Sequence, residues 1–93
     1  MSISNHIRNY YEQLVAEEIL RCMADRSQAP DVDYMADIAC VALNRLPPRY
    51  IRFEVDMVFY MTPDELAHNM DAVATAVRDA ITFVDTHHRD NPV

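Results

Sequence analysis

Ala42-Leu43-Asn44-Arg45-Leu46-Pro47-Pro48-Arg49-Tyr50-Ile51-Arg52 is the stretch at which the chain changes its hydrophobic period. Upstream, Met35, Ile38, Ala39, Ala42, Leu43 and Leu46 recur at helical spacing, the inner face of a helix that Asp31 or Asp33 caps. Pro47–Pro48 ends that helix, because consecutive prolines remove two amide donors and clash with the preceding turn. Downstream, from Tyr50 to Met61, Ile51, Phe53, Val55 and Met57 alternate with Arg52, Glu54 and Asp56, the period of a half-buried strand. The chain offers no second strand candidate, so this segment either pairs with its copy across a dimer or runs extended without a sheet. An extended segment in a mainly helical protein is the preferred reading.

Working outward, Ile7, Tyr11, Leu14, Val15, Ile19 and Cys22 form a helical stripe over about Ser4 to Asp25, capped by Ser4 or Asn5. Ser27–Gln28–Ala29–Pro30 reads as a connector. Thr62–Pro63–Asp64–Glu65 supplies a capping Thr, a first-turn Pro and a reciprocal Glu for the last helix. Its stripe runs through Leu66, Met70, Val73, Val77, Ile81 and Val84 for about five turns. The subset Met70, Val73, Val77, Ala80 and Val84 has the spacing to pack on a partner helix. His87 to Val93 is read as a polar, frayed tail. The expected fold is all-α: one domain over 1–93, three main helices, and an extended or single short-strand segment before the last.

Composition narrows the chemistry. A chain of 93 residues buries only about 60–65% of its unfolded surface, so dimerisation would help it. With 51% hydrophobic and 25% charged residues it has the material for a core, which argues against disorder. Glycine is absent, which removes phosphate loops of the Walker type and the dinucleotide fingerprint. All 8 basic residues are arginine, so Schiff-base and activated-lysine mechanisms are excluded. A net charge of −7 repels duplex nucleic acid and anionic lipid, and nucleic acid is disfavoured as a partner. No stretch reads as a signal peptide or a membrane span, so a cytoplasmic location is expected. Cys22 and Cys40 fall on apolar helix faces and read as small buried hydrophobes in a reducing compartment.

Sites for catalysis and metals are sparse. His6, His68, His87 and His88 have no zinc-like spacing, so neither a metal nor another cofactor is expected. Ser2, Ser4 and Ser27 lack a nucleophile-elbow context, and a small helical chain gives little scaffold for a water-excluding pocket. The expectation is a protein that is not an enzyme. The arginine cluster Arg45, Arg49 and Arg52 stands out in an acidic chain, carried on the stiff Pro47–Pro48 bend. A purely structural role is the competing account: a helix stop whose arginines pair with Glu54, Asp56 and the last helix carbonyls. On spacing alone that account leads, because charge clusters are generally solvated or paired.

The run Asp37-Ile38-Ala39-Cys40-Val41-Ala42-Leu43-Asn44-Arg45-Leu46-Pro47-Pro48-Arg49-Tyr50 resembles the signature of the ComFB (late competence development) family of small bacterial proteins. Asn9-Tyr10-Tyr11-Glu12-Gln13-Leu14-Val15 is similar to that family's first-helix pattern, and Arg52 to Met61 before a capped helix also fits. The resemblance covers about Asn9 to Val84. It implies a small, mainly helical homodimer that acts as a receptor for cyclic di-GMP, in some members cyclic di-AMP, in competence or motility control. Some members hold zinc through extra cysteines; this chain lacks them, so zinc is not carried over. Physical inference then assigns the groups. Arg45, Arg49 and Arg52 suit phosphates or guanine Hoogsteen edges, and Tyr50 suits stacking. Asp56 or Glu54 is the guanine acceptor, with Asn44 and Arg8 as helpers. A downstream protein partner is implied but unidentified. Two other readings compete: a helical interaction module that binds no nucleotide, and, more remotely, a nucleic-acid accessory protein.

Overall fold

Asn9 decides where the first helix begins. The computed structural model describes residues 2–26 and 31–87. In it the Asn9 side-chain oxygen accepts the backbone N–H of Tyr11 at 3.2 Å and that of Arg49 at 3.1 Å. The Tyr10 N–H donates to the Arg49 carbonyl at 2.6 Å. These bonds fasten the N-terminal segment to the chain just beyond Pro47–Pro48. Helix α1 therefore runs Tyr11–Met23 and does not start at Ser4 or Asn5 as the stripe suggested. Ile3–His6 makes a short 3-10 turn, and Ile7 is extended and 43% exposed. The buried face of α1 is Tyr11, Val15, Ile19 and Met23, a clean four-residue repeat.

The second strand that the sequence concealed is Arg8–Asn9. This strand, β1, pairs antiparallel with β2, Tyr50–Ile51, with Arg8 opposite Ile51 and Asn9 opposite Tyr50. The expected pairing problem is thus solved within one chain. The long extended segment is corrected too: beyond β2 the chain enters helix α3, Glu54–Tyr60. The physical reason is that β1 is only two residues long, so the backbone past Ile51 has no ladder to join. Coiling supplies the missing partners internally, as in Asp56 N–H to the Phe53 carbonyl (3.1 Å) and Met61 N–H to the Met57 carbonyl (3.0 Å).

Helix α2 spans Val32–Arg45, with Asp31 capping it by accepting the Asp33 N–H at 3.2 Å. The expected connector Ser27–Pro30 lies outside the described residues. Helix α4 spans Pro63–His87, and Thr62 Oγ1 accepts the Glu65 N–H at 3.1 Å, as the start signal predicts. Helices α1, α2 and α4 pack on one another around a single core in which Val15, Ile38, Ala42, Val77 and Ala80 are fully enclosed. Of the α4 subset with partner-helix spacing, Val73, Val77, Ala80 and Val84 are used in this internal core, and Met70 is left 46% exposed. The cysteine reading is corrected for Cys40, which is exposed, while Cys22 is half-buried against the core; both are free. The apolar stripe of α2 faces the core, and Cys40 lies off it.

Candidate functional site

The two-stranded ribbon is tied to the start of α1 through Asn9 and Tyr10, and that start is in turn tied to α4. Tyr11 Oη donates to Asn69 Oδ1 of α4 at 3.4 Å, and the amide nitrogen of Asn69 meets Met61 Sδ at 3.1 Å. Tyr10 Oη also reaches Met61 Sδ at 3.8 Å, so α1, the end of α3 and α4 share one junction. Asn9 and Asn69 are the buried polar residues there, and both have their hydrogen bonds made.

Two clefts flank the ribbon, and Arg8 lines both. One, of about 190 Å³, is walled by Asn5, His6, Ile7, Arg8, Arg52 and Phe53. The other, of about 250 Å³, is mainly apolar, with Tyr10, Leu14, Ile51, Met61 and Leu66 among its walls. The walls of the first include two arginines, a histidine and a phenylalanine, and its lining is mainly polar. Arg52 lies over the Phe53 ring at 5.0 Å, a cation–π contact that keeps the guanidinium at the cleft wall. Arginine forks of this kind suit phosphate oxygens or the O6/N7 edge of guanine, and Phe53 offers a stacking face.

The residues singled out in the sequence are distributed unevenly. Arg52 is in the polar cleft. Tyr50 is on the ribbon opposite Asn9 and 64% exposed, and Arg49 precedes it with its backbone held by Asn9 and Tyr10. Arg45 is not brought together with them: its guanidinium lies over Phe83 at 5.4 Å. Phe83 is about 21 Å further along α4 than Asn69. It also stacks on His87 at 4.2 Å. Asn44 is exposed on the last turn of α2 and Asp56 is exposed on α3. His6 and Phe53 were not selected from sequence, because their approach to Arg52 depends on the ribbon pairing.

Among the described residues, the shifted titrating groups lie away from this cleft. The bond from Arg21, bidentate at 2.9 and 2.7 Å, holds Glu18 below the usual carboxylate range. Burial and the neighbouring Glu18 push the Cys22 thiol up. Burial, then the hydrogen bond to Asp85, raises Tyr34. Among the described residues no group of three or more His, Cys, Asp or Glu is placed to hold a metal ion. Nor is any described helix long and apolar enough to cross a membrane.

Residues 8–88 match the family model described as late competence development protein ComFB. No curated protein and no solved structure gives a significant match.

Proposed function

This chain belongs to the ComFB family of late competence development proteins, and from that premise we propose that it is a non-enzymatic receptor for a cyclic dinucleotide. Cyclic di-GMP is the first candidate ligand and cyclic di-AMP the second; a homodimer passes the signal to a protein partner. The observation that carries this reading is the polar cleft, where Arg8, Arg52, His6 and Phe53 meet. Its chemistry is that of a phosphate beside a base: guanidinium forks for the anion and a ring for stacking. Arg49 and Tyr50, just before Arg52 in the chain, are exposed.

Size supports sharing of the ligand. At about 190 Å³ the cleft is smaller than the ~300–1,000 Å³ of pockets that enclose a drug-sized molecule. It suits one phosphate and one base, half of a cyclic dinucleotide. Two copies about a two-fold axis would offer two such halves to a ligand with its own two-fold character. A dimer would also cover apolar surface: Phe53, Val55, Phe59, Tyr60, Leu66 and Met70 are all at least 46% exposed in the single chain.

Isothermal titration of the whole chain with cyclic di-GMP, cyclic di-AMP and GTP tests the proposal. Selective saturation by a cyclic dinucleotide is expected, with Arg52→Ala weakening it by roughly 10- to 100-fold, as for loss of a good bidentate contact. Arg45→Ala should bind within about twofold of the parent, because Arg45 is not among the walls of the cleft. No heat with any of the three ligands would overturn the receptor reading.

A further inference from the structure

Helix α3 is held differently from the other helices. Its N-terminal side begins at Arg52 and Phe53, two walls of the polar cleft. Its C-terminal side ends at Met61, a wall of the apolar cleft, where Tyr10 Oη and the Asn69 amide both meet the sulfur. Between these ends Met57 is buried at 6% exposure, while Val55, Asp56, Phe59 and Tyr60 point to solvent. The helix leans chiefly on β2, itself two residues long. A seven-residue helix has little of its own to hold it, since helices of that length are not stable without packing. It joins the two clefts, packing on the second strand of the ribbon between them.

We propose that α3 is a strap that opens as a unit, independently of the three-helix core, and that filling the Arg8–Arg52 cleft fastens it shut. This rests on the receptor reading only for the identity of the ligand. The coupling is local. A phosphate bound in the cleft draws on Arg52, Arg52 lies on Phe53, and Phe53 is the residue from which α3 starts. The strap carries Phe59 and Tyr60, at 80% and 84% exposure the most exposed aromatic rings among the described residues. Occupancy of the cleft would thereby set how rigidly that aromatic pair is presented.

Hydrogen exchange of the full chain, read by mass spectrometry with and without cyclic di-GMP, tests this alongside the titration. Without ligand, α3 amides should exchange through local opening while those in the middle of α2 and α4 stay protected. If only the fastened form binds, ligand at ten times its Kd slows α3 exchange about tenfold. Met57→Ala should speed α3 exchange in the free protein and leave α4 unchanged. Saturating heat in the titration with unaltered α3 exchange overturns the coupling and leaves the receptor reading standing. Absence of heat sinks the receptor reading, and the ligand-free profile then decides the strap. α3 opening ahead of the core upholds it; α3 exchanging together with α2 and α4 overturns it.

Discussion

Asn9 and Asn44 show how much the surroundings of a residue matter beyond its type. Asn9 is 8% exposed and its one side-chain oxygen accepts two backbone N–H groups, from Tyr11 and from Arg49, the latter 40 positions from Asn9. Removing it orphans both donors at the point where the ribbon meets α1. Leaving a buried donor unpaired costs about 1–3 kcal/mol. Asn9→Ala should therefore lower stability by about 2 kcal/mol, read from the urea midpoint at unchanged slope. Asn44 is exposed on α2, and Asn44→Ala should stay within about 0.5 kcal/mol of the parent. Equal losses for the two would mean that the Asn9 bonds do not anchor the ribbon. Arg45 carries a related lesson: at the residue scale it belongs with Phe83, although in sequence it neighbours Arg49 and Arg52.

At the scale of elements, legibility followed the source of each signal. Helices α2 and α4 were readable because their starts are written locally, in Asp31 and in Thr62–Pro63–Asp64–Glu65. The Ile51 to Met57 alternation misled because a strand is defined by its partner, and the partner here is Arg8–Asn9, too short to show a period. Phe53 and Met57 are also four residues apart, so the same stretch satisfies a helix, and the lack of a ladder decided between them. The family signature in the α2-to-ribbon stretch was legible, and Arg52, named from sequence as a ligand-binding candidate, lies at the polar cleft. Its neighbours His6 and Phe53 were not so named, since they meet Arg52 only through tertiary pairing. The Thr62 cap gives a direct check on the local signals. Thr62→Ala should cost about 1 kcal/mol. For a chain of this size that is a fall of roughly 4–8 °C in Tm, measured by circular dichroism. An unchanged Tm would mean that the packed face of α4, and not its cap, sets where that helix begins.

For the whole molecule, the proposed receptor role draws on the separation between core and ribbon. The core cluster joins α1, α2 and α4, and Ile38 is wholly enclosed within it, while the cleft is built from residues 5–8, 52 and 53 outside it. Truncating a buried Ile to Ala costs about 2–5 kcal/mol, against total stabilities of about 5–15 kcal/mol for single domains. Ile38→Ala should therefore forfeit a large share of the stability, and α1, α2 and α4 should lose protection together because they share that core. On the receptor proposal, its Kd for cyclic di-GMP in conditions where it remains folded should stay within about twofold of the parent, whereas Arg52→Ala loses binding with little change in its urea midpoint. Paired urea melts and titrations on the two variants separate the roles. If Ile38→Ala weakened binding as much as Arg52→Ala, the cleft would depend on the core packing itself. The ribbon would then be an extension of the bundle and could not respond to a ligand by itself.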